Sequence, residues 1–309
     1  MIYTLTVNPC VDYHMSLEHT SLQVGEINRS EGEEVYPGGK GLNVSVVLSR
    51  LGVENVAWGF GAGRIGKLVK HLAKDQGCNV DFLWLPDGET RINVKLDGRI
   101  ETAINGRGPE ITVEAMAELL VRSSNLTGDD ILVLSGFSQT GSGSLYYQVC
   151  QAATGAGASL VVDAQGKALS DTFCCHPFLI KPNEEELLGL FSETDHSEDT
   201  YVRLMGLCQD AGVRNILLSL GKDGALLLCE DGRLYRARIE DDKKVISTVG
   251  AGDSMVAGFL GGLLAGGGDP ESALRIACAA GNATSHQRYL ATREEIWEAM
   301  PRIRTERLR

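Results

Sequence analysis

Asp253 is the residue in this chain whose type and setting most directly suggest chemistry. It closes the run Val249-Gly250-Ala251-Gly252-Asp253 and opens an apolar stretch from Ser254 to Phe259. Small residues ahead of an apolar helix leave free backbone N–H groups and a partial positive charge at its start. Gly250, Ala251 and Gly252 could therefore cradle an anion such as a transferring phosphoryl group. A carboxylate beside that anion could accept the proton of an attacking hydroxyl. Taken alone, the same residues also read as an N-cap Asp after a glycine turn. Arg91-Ile92-Asn93-Val94-Lys95 alternates, so Arg91 and Asn93 share one strand face and can point at one ligand. Without further context, Arg91 and Lys95 read more simply as a solvated strand edge. Asn183-Glu184-Glu185-Glu186 reads as a capped helix with an acidic first turn, and Asp12, after Asn8-Pro9, as a turn residue.

These residues need a frame. Ile2 to Val7 is a strand by its β-formers, and Asn8-Pro9 breaks it. Leu42, Val46, Val47, Arg50 and Leu51 space out a helix that Gly52 ends. Asn55 to Phe60 predicts a strand and Ile65 to Gly77 a helix. Thr90 to Leu96 and Arg99 to Ile104 predict a hairpin turned by Asp97-Gly98. Strands are predicted at 131–134, 160–163, 178–181, 215–220 and 225–229. Helices are predicted at 143–155, from 183 to 191, at 253–265 and at 271–286. The tail from Arg302 to Arg309 reads as an exposed helix end, and Glu240 to Lys244 as a solvated turn. Alternating strands and helices predict an α/β fold with a mostly parallel sheet covered on both faces. Such sheets bind ligands beyond the carboxyl ends of their strands. The polar strand pieces at about 11–36 and 88–106 stand outside the alternation and predict one small lid sheet on a single domain, 1–309.

Composition narrows the function classes. The chain has 309 residues, 29 Lys+Arg against 41 Asp+Glu, a net charge of −12 and 43% hydrophobic residues. That is enough apolar surface for a large core and excludes a disordered chain. The acidic balance argues against a nucleic-acid partner, which needs a basic face, but allows a local basic pocket for a small anion. No run approaches a membrane span and the N-terminus lacks signal-peptide features, so a soluble cytoplasmic protein with no membrane partner is expected. The eight cysteines form no CxxC pair and no zinc spacing, and read as reduced, small apolar residues. The six histidines show no paired spacing.

Three motifs in order carry a family resemblance over nearly the whole chain, from Thr4 to about Ala283. Gly38-Gly39-Lys40-Gly41-Leu42-Asn43-Val44 resembles the N-terminal signature of the PfkB (ribokinase-like) carbohydrate kinases. Ser247-Thr248-Val249-Gly250-Ala251-Gly252-Asp253 resembles their C-terminal signature. Lys181-Pro182-Asn183-Glu184-Glu185-Glu186 resembles their Asn-x-x-Glu segment. Thr6 to Asp12, Glu89 to Lys95 and Ile104 to Pro109 look most like the 1-phosphofructokinase and tagatose-6-phosphate kinase branch. The resemblance implies a three-layer αβα sandwich with a small β-sheet lid, and ATP with Mg²⁺ as cofactors. It implies that Asp253 is the base and that Gly250, Ala251 and Gly252 form the anion hole. Asp12, Gly39, Asn43 and Asn93 would meet the sugar, and Lys40, Arg91 and Arg29 its phosphate. Asn183 and Glu186 would organise Mg²⁺ through water. Asn183, Ser219, Gly221, Gly224 and Asn282 would line the nucleotide site. A homodimer through the lid is compatible with the strands at 91–104.

The chain departs from its branch at Ser135 to Gly141, at Cys10, and at Gln165 and Lys167. The expected reaction is ATP-dependent phosphorylation of a ketohexose phosphate, with fructose 1-phosphate the leading acceptor. Tagatose 6-phosphate, fructose 6-phosphate and a 6-sulfonated ketose are the alternatives, and a non-catalytic sugar-phosphate sensor is a remote one. Phosphoryl transfer needs positioning and charge neutralisation more than covalent chemistry, which suits these residues.

Overall fold

The computed structural model describes residues 1–17, 22–97, 102–136 and 142–309. Its strands are β1 (Ile2–Thr6), β2 (Cys10–Leu17), β3 (Ser30–Gly38), β4 (Asn55–Ala62), β5 (Asn79–Leu85), β6 (Arg91–Asp97), β7 (Thr102–Asn105), β8 (Ile131–Ser135), β9 (Ser159–Asp163), β10 (Leu179–Ile180), β11 (Asn215–Ser219), β12 (Ala225–Leu228), β13 (Leu234–Ile239) and β14 (Ile303–Arg307). Its helices are α1 (Lys40–Arg50), α2 (Gly63–Asp75), α3 (Val113–Ser124), α4 (Ser142–Gly155), α5 (Gly166–Ser170), α6 (Glu184–Phe191), α7 (Glu198–Asp210), α8 (Ala251–Ala265), α9 (Pro270–Ser285) and α10 (Arg293–Ala299).

The large sheet runs β14-β13-β12-β11-β10-β9-β8-β1-β4-β5. From β11 to β5 every pairing is parallel. The β11–β12, β12–β13 and β13–β14 pairings are antiparallel. Alternate residues of each parallel strand feed two cores. Ile2, Val133, Val161 and Leu217 pack with α1, α8 and α9, while Leu5, Leu134, Val162 and Leu218 pack with α3, α4 and α7. Burial on both faces is what a parallel sheet requires, and the result is the expected three-layer αβα sandwich.

The polar strand pieces form a separate four-stranded sheet, β3-β2-β6-β7. Cys10, Asp12 and His14 pair with Arg91, Asn93 and Lys95, so these six side chains leave the same face. β6 and β7 pair antiparallel as expected, but Leu96 stands opposite Thr102, so five residues separate the last paired positions and the two-residue turn expected at Asp97-Gly98 does not form the connection. Gly98 itself lies outside the described residues.

α8 and α9 meet along a seam of small residues. A Cβ on Gly258 would stand 2.8 Å from the Ile276 carbonyl oxygen, and one on Gly262 2.7 Å from Ala273 Cα. A Cβ on Gly281, on the facing helix, would stand 2.6 Å from Met255 Cγ. The two backbones therefore approach closer than any side chain would allow.

The C-terminal tail overturns its sequence reading. Ile303 to Arg307 is an edge strand, β14, paired with β13, rather than a helix end. Ile303 and Thr305 alternate with charged residues, and charge on an edge strand guards it against further pairing. Among the described residues no helix is long and apolar enough to cross a membrane.

Candidate active site

The parallel strands end at one cleft. Ser135 closes β8, Asp163 closes β9, Lys181 follows β10, and Ser219 closes β11. The cleft has a volume of about 960 Å³ and lies between these strand ends, the start of α8 and the small sheet. This is where open α/β sheets place ligands.

α8 begins at Gly250, whose φ of 78° is a left-handed conformation that L-residues avoid. Asp253 sits in its first turn, 4% exposed, and accepts a hydrogen bond of 2.8 Å from Asn43 Nδ2 on α1. The first helix is set the same way. Gly39 caps it, and Thr6 Oγ1 at the end of β1 accepts from the Leu42 N–H at 2.7 Å. Burial raises the Asp253 carboxyl to about 6 and the neighbouring Asp163 charge adds to the rise, against Lys40, Asn43 and Lys181. A carboxylate poised there is ionised at neutral pH yet basic enough to take a proton in the reaction.

Asp163 stands between two ammonium groups, with Lys40 Nζ at 3.4 Å and Lys181 Nζ at 3.5 Å. Asp163 and Lys181 are cleft residues that sequence reasoning missed. Their signal was position: each ends or follows a parallel strand. Lys40, expected beside the sugar phosphate, lines the cleft with its ammonium turned to Asp163. Burial pulls its ammonium down, but Asp163, Asp253 and Glu186 outweigh that and hold it above its ordinary value. Its charge thus belongs with the acidic groups around the start of α8, because the first residue of α1 faces the end of β9.

On the small sheet, Arg91 and Asn93 line the cleft together as their alternation predicted, and Asp12, read as a turn residue, instead lies on β2 and joins them there. Asp12 Oδ1 accepts from Asn93 Nδ2 at 2.9 Å and from the Cys10 thiol at 3.3 Å. Arg91 Nε donates to the Asn8 carbonyl at 3.3 Å. Lys95, read as a solvated edge, is instead buried and 3.3 Å from Asp12 Oδ2. Arg29 does not reach the cleft. β2 and β3 pair from Cys10↔Gly38 at the cleft to Leu17↔Ser30 at the far end. Seven residues at 3.3 Å each carry Ser30 about 23 Å away, and exposed Arg29 precedes it.

At the other end of the cleft Asn183 caps α6. Its side chain accepts from the Glu186 N–H at 2.8 Å while Glu186 Oε2 accepts from the Asn183 N–H at 2.9 Å. Glu186 Oε1 also accepts from Gln165 Nε2 at 2.6 Å. The carboxylate is therefore fixed, with lone pairs left over for water. Ser219, Gly221 and Gly224 line the same wall. Asn282 also lines the cleft, and its Oδ1 is buried without a hydrogen-bond partner. The segment Glu240 to Lys244 is more than a solvated turn. The Asp241 side chain is buried with His286 Nε2 at 3.3 Å and Arg302 Nε at 3.8 Å, and the Lys243 N–H, at 3.0 Å from Oδ1, together with the charges of His286 and Arg302 holds its carboxyl low against its burial. Of the unusual 135–141 loop, residues 137–141 lie outside the described residues.

The residues present fit a nucleotide with a hydrated divalent cation. Asp163 Oδ1 is buried without a hydrogen bond, and Glu186 is held facing the same cleft. Among the described residues no three His, Cys, Asp or Glu converge as direct metal ligands. Mg²⁺ carried on phosphates and water needs few protein ligands.

The model of the pfkB family carbohydrate kinases matches residues 5–296. A 1-phosphofructokinase of Bacillus subtilis is 36% identical over 309 residues, covering 100% of both chains. A D-tagatose-1-phosphate kinase of Bacillus licheniformis is 34% identical, covering 94% of both. The structure of Escherichia coli phosphofructokinase-2 with substrates and products superposes with a TM-score of 0.89 at 25% identity, covering 97% of this chain and 98% of that one. A buried carboxylate at a glycine-framed helix start, in a cleft with these matches across its whole frame, places the chain in the PfkB family of carbohydrate kinases, phosphotransferases that act on a sugar hydroxyl.

Proposed function

We propose that the protein transfers the γ-phosphoryl group of ATP to the free primary hydroxyl of fructose 1-phosphate, giving fructose 1,6-bisphosphate and ADP. The observation that carries this reading is Asp253, a buried carboxylate raised to about 6, in one cleft with Arg91 and the start of α8. The full-length similarity to a 1-phosphofructokinase supports the choice of sugar. The 34% relative named for D-tagatose 1-phosphate favours a second acceptor that differs from fructose 1-phosphate only at C4.

Asp253 accepts the proton of the attacking hydroxyl. The backbone N–H groups of Gly250, Ala251 and Gly252 face the transferring phosphoryl, where negative charge is favoured at a helix start. Lys40 serves that same end of the cleft. Asp12, Asn43, Asn93 and the backbone at Gly39 hold the sugar hydroxyls, and Arg91 holds the phosphate already on the substrate. Asn183 and Glu186 fix, through water, the Mg²⁺ that neutralises the nucleotide phosphates. Ser219, Gly221, Gly224 and Asn282 form the nucleotide wall. The four-stranded sheet closes over the sugar as a lid, which keeps water from the reacting phosphate. Its outer face carries exposed Val35, Ile92 and Ile104, an apolar patch that suits a homodimer through the lid. Eight free cysteines suit a reducing, cytoplasmic setting.

The test is a coupled assay of kcat/KM for fructose 1-phosphate, tagatose 1-phosphate, fructose 6-phosphate, tagatose 6-phosphate and a 6-sulfonated ketose. Fructose 1-phosphate is expected to lead. A higher value for either 6-phosphate or for the sulfosugar would overturn the assignment.

A further inference from the structure

Lys95 is a buried cation to which the proposed reaction assigns no role. Its side chain is 11% exposed and lines the cleft from the middle strand of the small sheet. It lies two residues beyond Asn93 and four beyond Arg91, on the same strand face. Directly across on β2 its register partner is His14, and on β7 it is Ala103. The ammonium nevertheless reaches diagonally to Asp12, with Nζ 3.3 Å from Oδ2.

Asp12 is thereby held from both sides. Oδ1 takes the Asn93 amide at 2.9 Å and the Cys10 thiol at 3.3 Å. Asn93 Nδ2 also lies 3.1 Å from Cys10 Sγ, which closes a triangle around that oxygen. Cys10 is a thiol here, and burial, reinforced by Asp12, pushes it well above its ordinary range. It stays protonated and donates. Neither neutral donor compensates the carboxylate's charge; Lys95 does. An anionic carboxylate in a half-dry cleft needs a cation or it becomes costly. It also needs a fixed orientation if its remaining lone pairs are to select among sugar hydroxyls.

We propose that Lys95 is a positioning residue for sugar recognition: it acts through Asp12, holding that carboxylate aimed so that it can accept from the hydroxyls of the ketose. This rests on the reading of the cleft as a sugar-phosphate kinase site. Lys95 is distinct from Arg91 in this scheme. Arg91 binds the ligand's phosphate, whereas Lys95 organises the acceptor that reads the ligand's hydroxyls. The network also gives Cys10 a purpose as a neutral third contact.

The experiment is a double-mutant cycle on the full chain with ATP and fructose 1-phosphate. Lys95→Met is expected to raise the sugar KM by about tenfold or more, the range for groups in direct contact. It should leave kcat within about threefold and the ATP KM unchanged, because Lys95 touches neither reacting group. Lys95→Arg retains the charge and should recover most of the loss. In an Asp12→Asn background the Lys95→Met change should alter sugar kcat/KM by less than about twofold. The double variant leaves no uncompensated charge, so it remains usable if Lys95→Met alone folds poorly. Equal effects of Lys95→Met in both backgrounds would show Lys95 acting on the ligand directly and overturn the inference. So would an unchanged sugar KM in the folded single variant. Retained turnover in Asp253→Asn would instead overturn the kinase reading itself, so the two failures are distinguishable.

Discussion

Replacing Asp253 with Asn should make the protein more stable while disabling it. In the folded state the carboxyl is raised from 3.8 to about 6, chiefly by burial and then by Asp163. Below the unfolded value both states are protonated and the group contributes nothing. As pH rises through that value the unfolded chain releases its proton first, so folding loses stability. The loss is complete once the folded carboxyl has also ionised, above about 6. Two units at 1.36 kcal/mol each come to about 3 kcal/mol at pH 8. At pH 5 the same linkage leaves about half of that. Asn cannot ionise and keeps the size of the group, so the variant should recover these amounts. For a chain of this size the gain at pH 8 corresponds to a melting point higher by roughly 4–6 °C. Turnover should fall by about 10²–10⁴-fold with the base gone. The assay is thermal unfolding of both proteins at pH 8 and pH 5, with the coupled kinase assay alongside. A variant no more stable than the parent at pH 8, or stabilised equally at the two pH values, would refute the argument that this carboxylate is held ionised at a cost.

Two further outcomes follow from the same geometry. The logarithm of kcat/KM should fall with unit slope as pH drops through about 6, and Lys181→Met should move that limb to higher pH, because Lys181 is one of the cations holding Asp253 down; a limb that stays in place would separate it from Asp253. Gly250→Ala forces an L-residue to φ 78° and sets a Cβ 2.5 Å from Leu290 Cδ2, so it should cost about 1–2 kcal/mol in chemical denaturation and reduce kcat, whereas parental stability and rate would remove the need for glycine there.

The start of α8 was legible because its signal is local. Gly250, Ala251, Gly252 and Asp253 are contiguous, and their conformation follows from small residues ahead of an apolar helix. The antiparallel pair β6–β7 was legible for the same reason, through alternation, although its connection is longer than the two-residue turn that Asp97-Gly98 suggested. Asp163, Lys181 and Lys95 were not legible in this way. Each becomes part of the cleft only when separate strands are laid side by side, and nothing in the neighbourhood of Lys95 indicates that Asp12 lies across from it. Arg29 shows the reverse error. It matched a phosphate-binding role in type, but the length of the β2–β3 pair carries it to the far end of the sheet. The tail failed because two readings of a short charged segment compete, and only the presence of β13 beside it selects the strand. α3 and α7 escaped notice despite good caps, Thr112 and Ser197, because their apolar stripes are interrupted by polar residues.

The glycine seam between α8 and α9 has a reach beyond packing. Gly262 lies nine residues past Asp253 on one rigid helix, about 14 Å along its axis. A single methyl group there has nowhere to go except to push the two helices apart, and the rod would transmit that push to the carboxylate at its other end. Substitutions in the seam should thus cripple turnover while every ligand-facing atom keeps its identity. Inheritance of such a site is constrained as much by residues that present no functional group at all as by the carboxylate proposed to act as its base.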